Sequence, residues 1–237
     1  PATRRSGARV MSESSEKLIL ALPSKGRLME QCDELLRASG LVIAKSGSAR
    51  GYRGEVSGLP DIEVSFVSSS EIAARLRTGA VHMGITGEDL VREASAIVDD
   101  KVGFDRRLGF GNADVVVAVP ACWLDVASMA DLELMAMAFR RQHSHRVRVA
   151  TKYLNLTRRF FASAGVASYR IVESLGATEG APAAGLAELI VDITTTGATL
   201  KANGLKILDD GVILRSEANL MTSNVAVWTP RQQEARR

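Results

Sequence analysis

Short apolar runs alternate with segments of helical spacing along most of the chain. Leu18-Ile19-Leu20-Ala21-Leu22 reads as a buried strand, and after a polar loop Leu28, Cys32, Leu35 and Leu36 recur at helical spacing until Gly40 closes the helix. Val64 and Phe66 then alternate in a strand. Ser68 and Glu71 offer a capping box, Ile72 and Leu76 share a helical face, and Gly79 stops that helix. Residues 81–85 give the next strand, and Val115-Val116-Val117-Ala118-Val119 the most apolar one. A helix carrying Leu132, Met135, Ala136 and Phe139, a strand over 147–150, and a helix with Phe160, Phe161 and Ala164 ended by Gly165 follow. Apolar strands alternating with helices predict an α/β fold with mostly parallel sheets covered on both faces.

No linker rich in proline or serine divides the chain, and no fixed-period repeat is visible. The expected boundary is Gly109-Phe110-Gly111-Asn112, where two glycines precede the most apolar strand and supply a hinge.

Composition narrows the class. With 46% hydrophobic and 24% charged residues the chain is an ordinary globular sequence. Its pI of about 9.1 invites a nucleic-acid reading, but Arg4, Arg5 and Arg9 precede Met11, and without residues 1–10 the net charge of +3 falls to zero. The basic balance belongs to an extension or tag, and nucleic acid is set aside. Cys32 and Cys122 are too few for a disulfide framework or a zinc site. The N-terminus shows no signal-peptide pattern and the chain no long apolar run, so no membrane is expected and the cytoplasm is the expected location.

The most informative stretch is Leu189-Ile190-Val191-Asp192-Ile193-Thr194-Thr195-Thr196-Gly197-Ala198-Thr199-Leu200. A buried strand ends in a carboxylate, and hydroxyl residues with a glycine lead into a helical segment that closes at Asn203-Gly204. Outward-pointing amides at such a start receive phosphate, Gly197 lets backbone approach closely, and Asp192 suits ribose hydroxyls or the vicinity of Mg²⁺. Taken alone, the threonines serve equally well as helix caps.

Around these residues the sequence resembles the ATP phosphoribosyltransferase family, whose signature runs from an apolar strand and Asp through Thr-Gly-x-Thr-Leu to Asn-Gly-Leu. Here it reads Val191-Asp192 through Leu200, then Asn203-Gly204-Leu205. The resemblance extends to Glu179-Gly180-Ala181-Pro182, to Ala150-Thr151-Lys152-Tyr153-Leu154-Asn155-Leu156-Thr157-Arg158-Arg159, to Gly84-Ile85-Thr86-Gly87-Glu88-Asp89 and to Leu22-Pro23-Ser24-Lys25-Gly26-Arg27. It spans residue 18 to about 227 with the motifs in the family's order. Ala177-Thr178 departs from the family's Gly-Ser, so the loop before Glu179 is expected to sit differently.

The resemblance implies the two-lobed type II periplasmic-binding-protein-like fold with an interlobe active-site cleft. Lobe one is expected from residues 11–108 plus 206–237 and lobe two from 109–205. The chain stops soon after Trp228, which implies the short form without a C-terminal regulatory domain. The implied reaction is attack of N1 of the ATP adenine on the anomeric carbon of phosphoribosyl pyrophosphate (PRPP), releasing pyrophosphate with Mg²⁺ present, as the first step of histidine biosynthesis. Implied partners are further copies of the chain and a regulatory subunit related to histidyl-tRNA synthetase.

Such a displacement calls for cations, amides and metal more than for a nucleophile. Arg27 is therefore expected on pyrophosphate, with Lys25 and Gly26 beside it at the strand end; a solvated basic turn is the alternative. Arg50 and Arg53 lie in a glycine-dense stretch, 47–54, read as a loop closing over substrate, and one of them is expected to assist Arg27. For PRPP the expected residues are Asp192, Thr195, Thr196, Gly197, Ala198, Thr199 and Glu179. Thr86 and Gly87 line the ATP side or merely begin a helix. Arg158 and Arg159 read as a solvated helix face. His82, His143 and His145 receive no metal or base role, and no direct protein ligation of metal is expected. A non-enzymatic ligand-binding lobe pair is the rival from another class, and a different phosphoribosyltransferase the rival among enzymes.

Overall fold

The structure is a computed structural model, and it describes residues 17–46, 53–94, 98–174 and 176–237. The expected extension 1–10 and Arg50 lie outside the described residues.

The strands are β1 Leu18–Pro23, β2 Ile43–Ser46, β3 Arg53–Val56, β4 Leu59–Val67, β5 Met83–Gly87, β6 Val102–Arg107, β7 Ala113–Pro120, β8 Val147–Thr151, β9 Tyr169–Glu173, β10 Leu189–Thr194, β11 Leu205–Ser216 and β12 Ala218–Ser223. The helices are α1 Arg27–Ala38, α2 Ser69–Thr78, α3 Glu88–Ala94, α4 Val98–Lys101, α5 Met129–His143, α6 Leu154–Ser163, α7 Ala198–Ala202 and α8 Pro230–Ala235. The strands form a seven-stranded sheet ordered β2-β3-β4-β1-β5-β12-β6 and a five-stranded sheet ordered β11-β7-β10-β8-β9. This is the expected α/β class. Both sheets are mixed: β1 is parallel to β4 and β5 while β2-β3-β4 is antiparallel, and β10-β8-β9 is parallel while β11-β7-β10 is antiparallel.

The chain divides into two compact units. The first comprises Pro1–Ile85, Lys101–Gly103 and Met221–Arg237, and the second Thr86–Asp100 and Phe104–Leu220. Gly109 and Gly111 do take positive φ, yet both lie inside the second unit, where Gly109 N–H donates to Glu217 at 3.0 Å and the glycines turn the chain into β7. β11 pairs with β7. Residues 206–216 therefore belong to the second sheet rather than to the lobe expected from sequence.

In the first unit, α1 begins without a side-chain cap, while α2 is capped by Ser68, whose Oγ accepts from Glu71 N–H at 3.2 Å. The Glu71 carboxylate turns to Arg75 instead of completing the capping box. Gly79 ends α2 in the left-handed conformation, as expected.

In the second unit the run from Val115 to Val119 is buried on both faces. Val115, Val117 and Val119 pack with Leu132 and Ala136 of α5 and Phe161 of α6. Val116 and Ala118 pack with Ile190, Leu200 and Leu205. A continuous apolar strand is what two covered faces require. Gly211 sits at a register shift of β11, where a Cβ would lie 2.9 Å from Leu208 Cβ and 3.1 Å from Val117 O, so only glycine lets the bulge press against β7. Among the described residues no helix is long and apolar enough to cross a membrane.

Candidate active site

Strand alternation places the chemistry of the second unit. On β10, Leu189 and Val191 point into the core beneath α5 and α6, whereas Ile190 joins the cluster with Leu200 of α7. Asp192 and Thr194 continue the face of Ile190. They emerge beside the turn that leads into α7.

There, Asp192, Ile193, Thr194, Thr195, Thr196, Thr199, Leu200, Ala113 and Glu179 line a pocket of about 340 Å³. Five residues expected for PRPP are thus brought together: Glu179, Asp192, Thr195, Thr196 and Thr199. Gly197 is the N-cap of α7 with φ 73°, and Ala198 begins the helix. Thr194 Oγ1 accepts from Gly197 N–H at 2.9 Å, and Thr196 Oγ1 accepts from Ala198 N–H at 3.3 Å. The threonines do act as caps, and the amides of Thr196 and Thr199 have no partner among the described residues. Thr195 Oγ1 donates to Asn112 O at 3.2 Å, tying the loop to the entry of β7. Capping of the Gly197 and Ala198 amides shapes a loop that leaves those of Thr196 and Thr199 open.

Asp192 Oδ1 accepts from Ile193 N–H at 2.8 Å. Burial raises its pKa above the ordinary 3.8; the Ile193 amide and Lys152 oppose the shift, and the charge of Glu179 adds to it. Ahead of Glu179, Thr178 is 1% exposed. Its hydroxyl lies 3.1 Å from Ser174 Oγ and donates to Gly176 O at 3.1 Å. The Thr178 hydroxyl therefore braces the turn from within.

The 86–89 segment serves another purpose. Thr86 is fully buried. Asp89, 5% exposed, accepts from Tyr153 Oη at 2.9 Å and from Ser216 Oγ at 2.9 Å, and its own N–H donates to Ser216 Oγ at 3.0 Å. A Cβ at Gly87 would collide with Asp89 Oδ1, which explains the glycine. Glu88, 4% exposed, pairs with Arg92 at 2.6 Å. The sequence reading missed this buried network, and it also missed Lys152, which follows β8 and acts on Asp192. Arg159 donates to Arg92 O at 2.7 Å, so it braces α3 instead of forming only a solvated face.

In the first unit, Gly26 has φ 79° and Arg27 opens α1; Lys25, Gly26 and Arg27 are exposed. Neither cation has an ion pair among the described residues. Arg53 is not in a loop: it begins β3, pairs with Glu63 at 3.2 Å and lines a separate pocket with Ser24, Ser68 and Arg75. Antiparallel pairing with β4 holds the glycine-rich stretch from Arg53 onward in a sheet. His82 Nδ1 accepts from Ile19 N–H at 3.0 Å, and its Nε2 lies 3.3 Å from Val227 O, an internal structural role.

An α/β protein whose pocket joins a carboxylate at a strand end to open amides and hydroxyls is suited to a sugar phosphate. The sequence model of the family ATP phosphoribosyltransferase (HisG) matches residues 68–236. A protein of Rhodopseudomonas palustris strain BisA53 named ATP phosphoribosyltransferase is 60% identical over 223 residues, covering 94% of this chain and 69% of that protein. One of the same name from Afipia carboxidovorans is 61% identical over 219 residues, covering 92% and 67%. Among solved structures, the ATP phosphoribosyl transferase (HisG:HisZ) complex from Thermotoga maritima matches with a TM-score of 0.68 at 28% identity, covering 92% of this chain and 94% of that one. The chain belongs to the ATP phosphoribosyltransferase family. It is a pentosyltransferase that forms phosphoribosyl-ATP and pyrophosphate from ATP and PRPP, the first step of histidine biosynthesis. The family uses a metal ion.

Proposed function

We propose that the pocket of the second unit is the PRPP site of this reaction. The observation that carries the reading is the convergence of Glu179, Asp192, Thr195, Thr196 and Thr199 on one cavity. The 5′-phosphate would sit on the open amides of Thr196 and Thr199, with Gly197 and Ala198 keeping the backbone close. Asp192 and Glu179 would accept from the ribose hydroxyls.

Arg27 is assigned to the departing pyrophosphate, with Lys25 and Gly26 beside it. Arg53 is bound to Glu63 and would have to exchange that partner for substrate. Arg50 keeps its assisting role as an expectation from the sequence. Thr86 and Gly87 support the ATP side from within, since Thr86 offers no exposed surface.

The metal is proposed to be Mg²⁺. No group of three or more potential ligands occurs among the described residues. Two carboxylates lining one pocket fit a hard cation held mainly by substrate oxygens and water. When bound, it screens the charge of the diphosphate. The protein's share is to hold the ribose between Asp192 and the phosphate loop, so that the anomeric carbon meets the adenine in a fixed orientation.

We also propose for this chain a regulatory subunit related to histidyl-tRNA synthetase, self-association and a cytoplasmic location; the similar Thermotoga maritima structure, a HisG:HisZ complex, supports a second kind of subunit. The test is turnover of ATP and PRPP with Mg²⁺ and pyrophosphatase, followed by phosphoribosyl-ATP absorbance with and without such a partner. Arg27→Ala is expected to lower turnover by about 30- to 800-fold, corresponding to about 2–4 kcal/mol of lost charge stabilisation. Turnover within a few-fold of the parent would remove Arg27 from the site.

A further inference from the structure

The pocket assigned to PRPP is lined by two carboxylates and no cation, although its ligand carries a phosphate at one end and a diphosphate at the other. Resting on the PRPP reading of this pocket, we propose that Lys152 is a substrate-binding residue whose ammonium receives the diphosphate arm of PRPP. β8 and β10 are parallel neighbours in register, with Thr151 opposite Val191. Lys152 and Asp192 are therefore the next residues at the same strand ends. The threonine loop leans the other way, toward β7, through Thr195 Oγ1 to Asn112 O and through Ala113 in the pocket wall. Asp192 lies between an amide-rich side toward β7 and a lysine side toward β8. A ribose over Asp192 with its 5′-phosphate on the loop directs its anomeric substituent toward β8.

The lysine is held for this task. Tyr153 N–H donates to Thr151 Oγ1 at 2.9 Å, and Tyr153 Oη donates to buried Asp89, so the residues on both sides of Lys152 are fixed. Its ammonium lies 5.2 Å from the Tyr153 ring centroid. Lys152 is exposed and has no ion pair among the described residues. Its charge nevertheless reaches Asp192 and favours the ionised carboxylate there.

The test is calorimetric titration of the full chain, with Mg²⁺, against PRPP and against ribose 5-phosphate, which lacks the diphosphate. Lys152→Met is expected to weaken PRPP roughly tenfold or more, as for a lost hydrogen bond to a charged group, while ribose 5-phosphate stays within about twofold of the parent. Lys152→Arg should retain most of the PRPP affinity. Asp192→Asn should weaken both ligands. If Lys152→Met binds PRPP like the parent, or loses both ligands equally, the diphosphate assignment is wrong while the pocket stands. If Asp192→Asn leaves both affinities unchanged, the pocket reading fails and the lysine inference falls with it.

Discussion

Replacing Tyr153 by phenylalanine isolates one bond in the second unit. The ring is 2% exposed and packs in the core of β7, β8 and β10, so the substitution keeps the packing and removes only the hydroxyl. That hydroxyl donates at 2.9 Å to Asp89, itself 5% exposed. Burial first, and then the charge of Asp89, push the phenol's pKa up, so it remains a donor throughout the usable pH range. Without it Asp89 keeps Ser216 as its remaining side-chain donor. A hydrogen bond to a charged group is worth about 1.5–3 kcal/mol. For a chain of this length that lowers the melting temperature by about 3–12 °C. Thermal unfolding of Tyr153→Phe measures the loss, and the same substitution in an Asp89→Asn background should cost about half as much or less, because the acceptor is then neutral. A shift under about 1 °C, or equal losses in both backgrounds, would refute the bond's role.

Two further outcomes follow from titrating groups. Burial raises the pKa of Asp192, so the folded state binds its proton more tightly than the unfolded one; ionising it costs stability as pH rises through the folded pKa. Asp192→Asn should therefore melt higher than the parent at pH 7–8 while losing PRPP turnover by roughly tenfold or more; a lower melting temperature would contradict the sign. Burial lowers the pKa of His82 below the ordinary 6.5, against the opposing contacts to Val227 and Gln232, so stability should fall as pH drops from about 6.5 toward the folded value. His82→Gln, whose amide can both accept and donate, should flatten the fall in melting temperature between pH 7 and 5, and an unchanged slope would exclude His82 as its source.

What the sequence made legible was local. Leu18 to Leu22, Val115 to Val119 and the glycines at 40, 79, 165 and 204 announce their strands and helix ends, because burial on two faces and positive φ each restrict residue choice at single positions. Strands at or next to the sheet edges were hidden. β2 and β3 are short and largely polar, and β11 has its alternation broken by Asp209-Asp210-Gly211, where the register shifts. The boundary between units was misplaced for a related reason: glycines at 109 and 111 signal a turn, not which sheet the following strands join. The threonine loop that lines the pocket was readable because its residues are contiguous. The Asp89 network joins positions 64 and 127 residues apart, and only the glycine at 87 hinted at a carboxylate folding back over the chain.

The charge pattern of the pocket bears on selectivity. A site meant only to gather phosphate would be lined with cations, yet Asp192 and Glu179 face the cavity and burial already disfavours charge on Asp192. Those carboxylates repel a free phosphate or diphosphate that offers them no hydrogen. In the proposed arrangement a ligand with hydroxyls between two anionic ends would turn the same groups into acceptors, its phosphate meeting the amides of Thr196 and Thr199 and its diphosphate Lys152. Selectivity then comes from the penalty imposed on the wrong anion as much as from attraction to the right one. Accordingly, Asp192→Asn should narrow the preference for ribose 5-phosphate over inorganic phosphate in direct titration. An unchanged ratio would mean that the carboxylate does not discriminate between them.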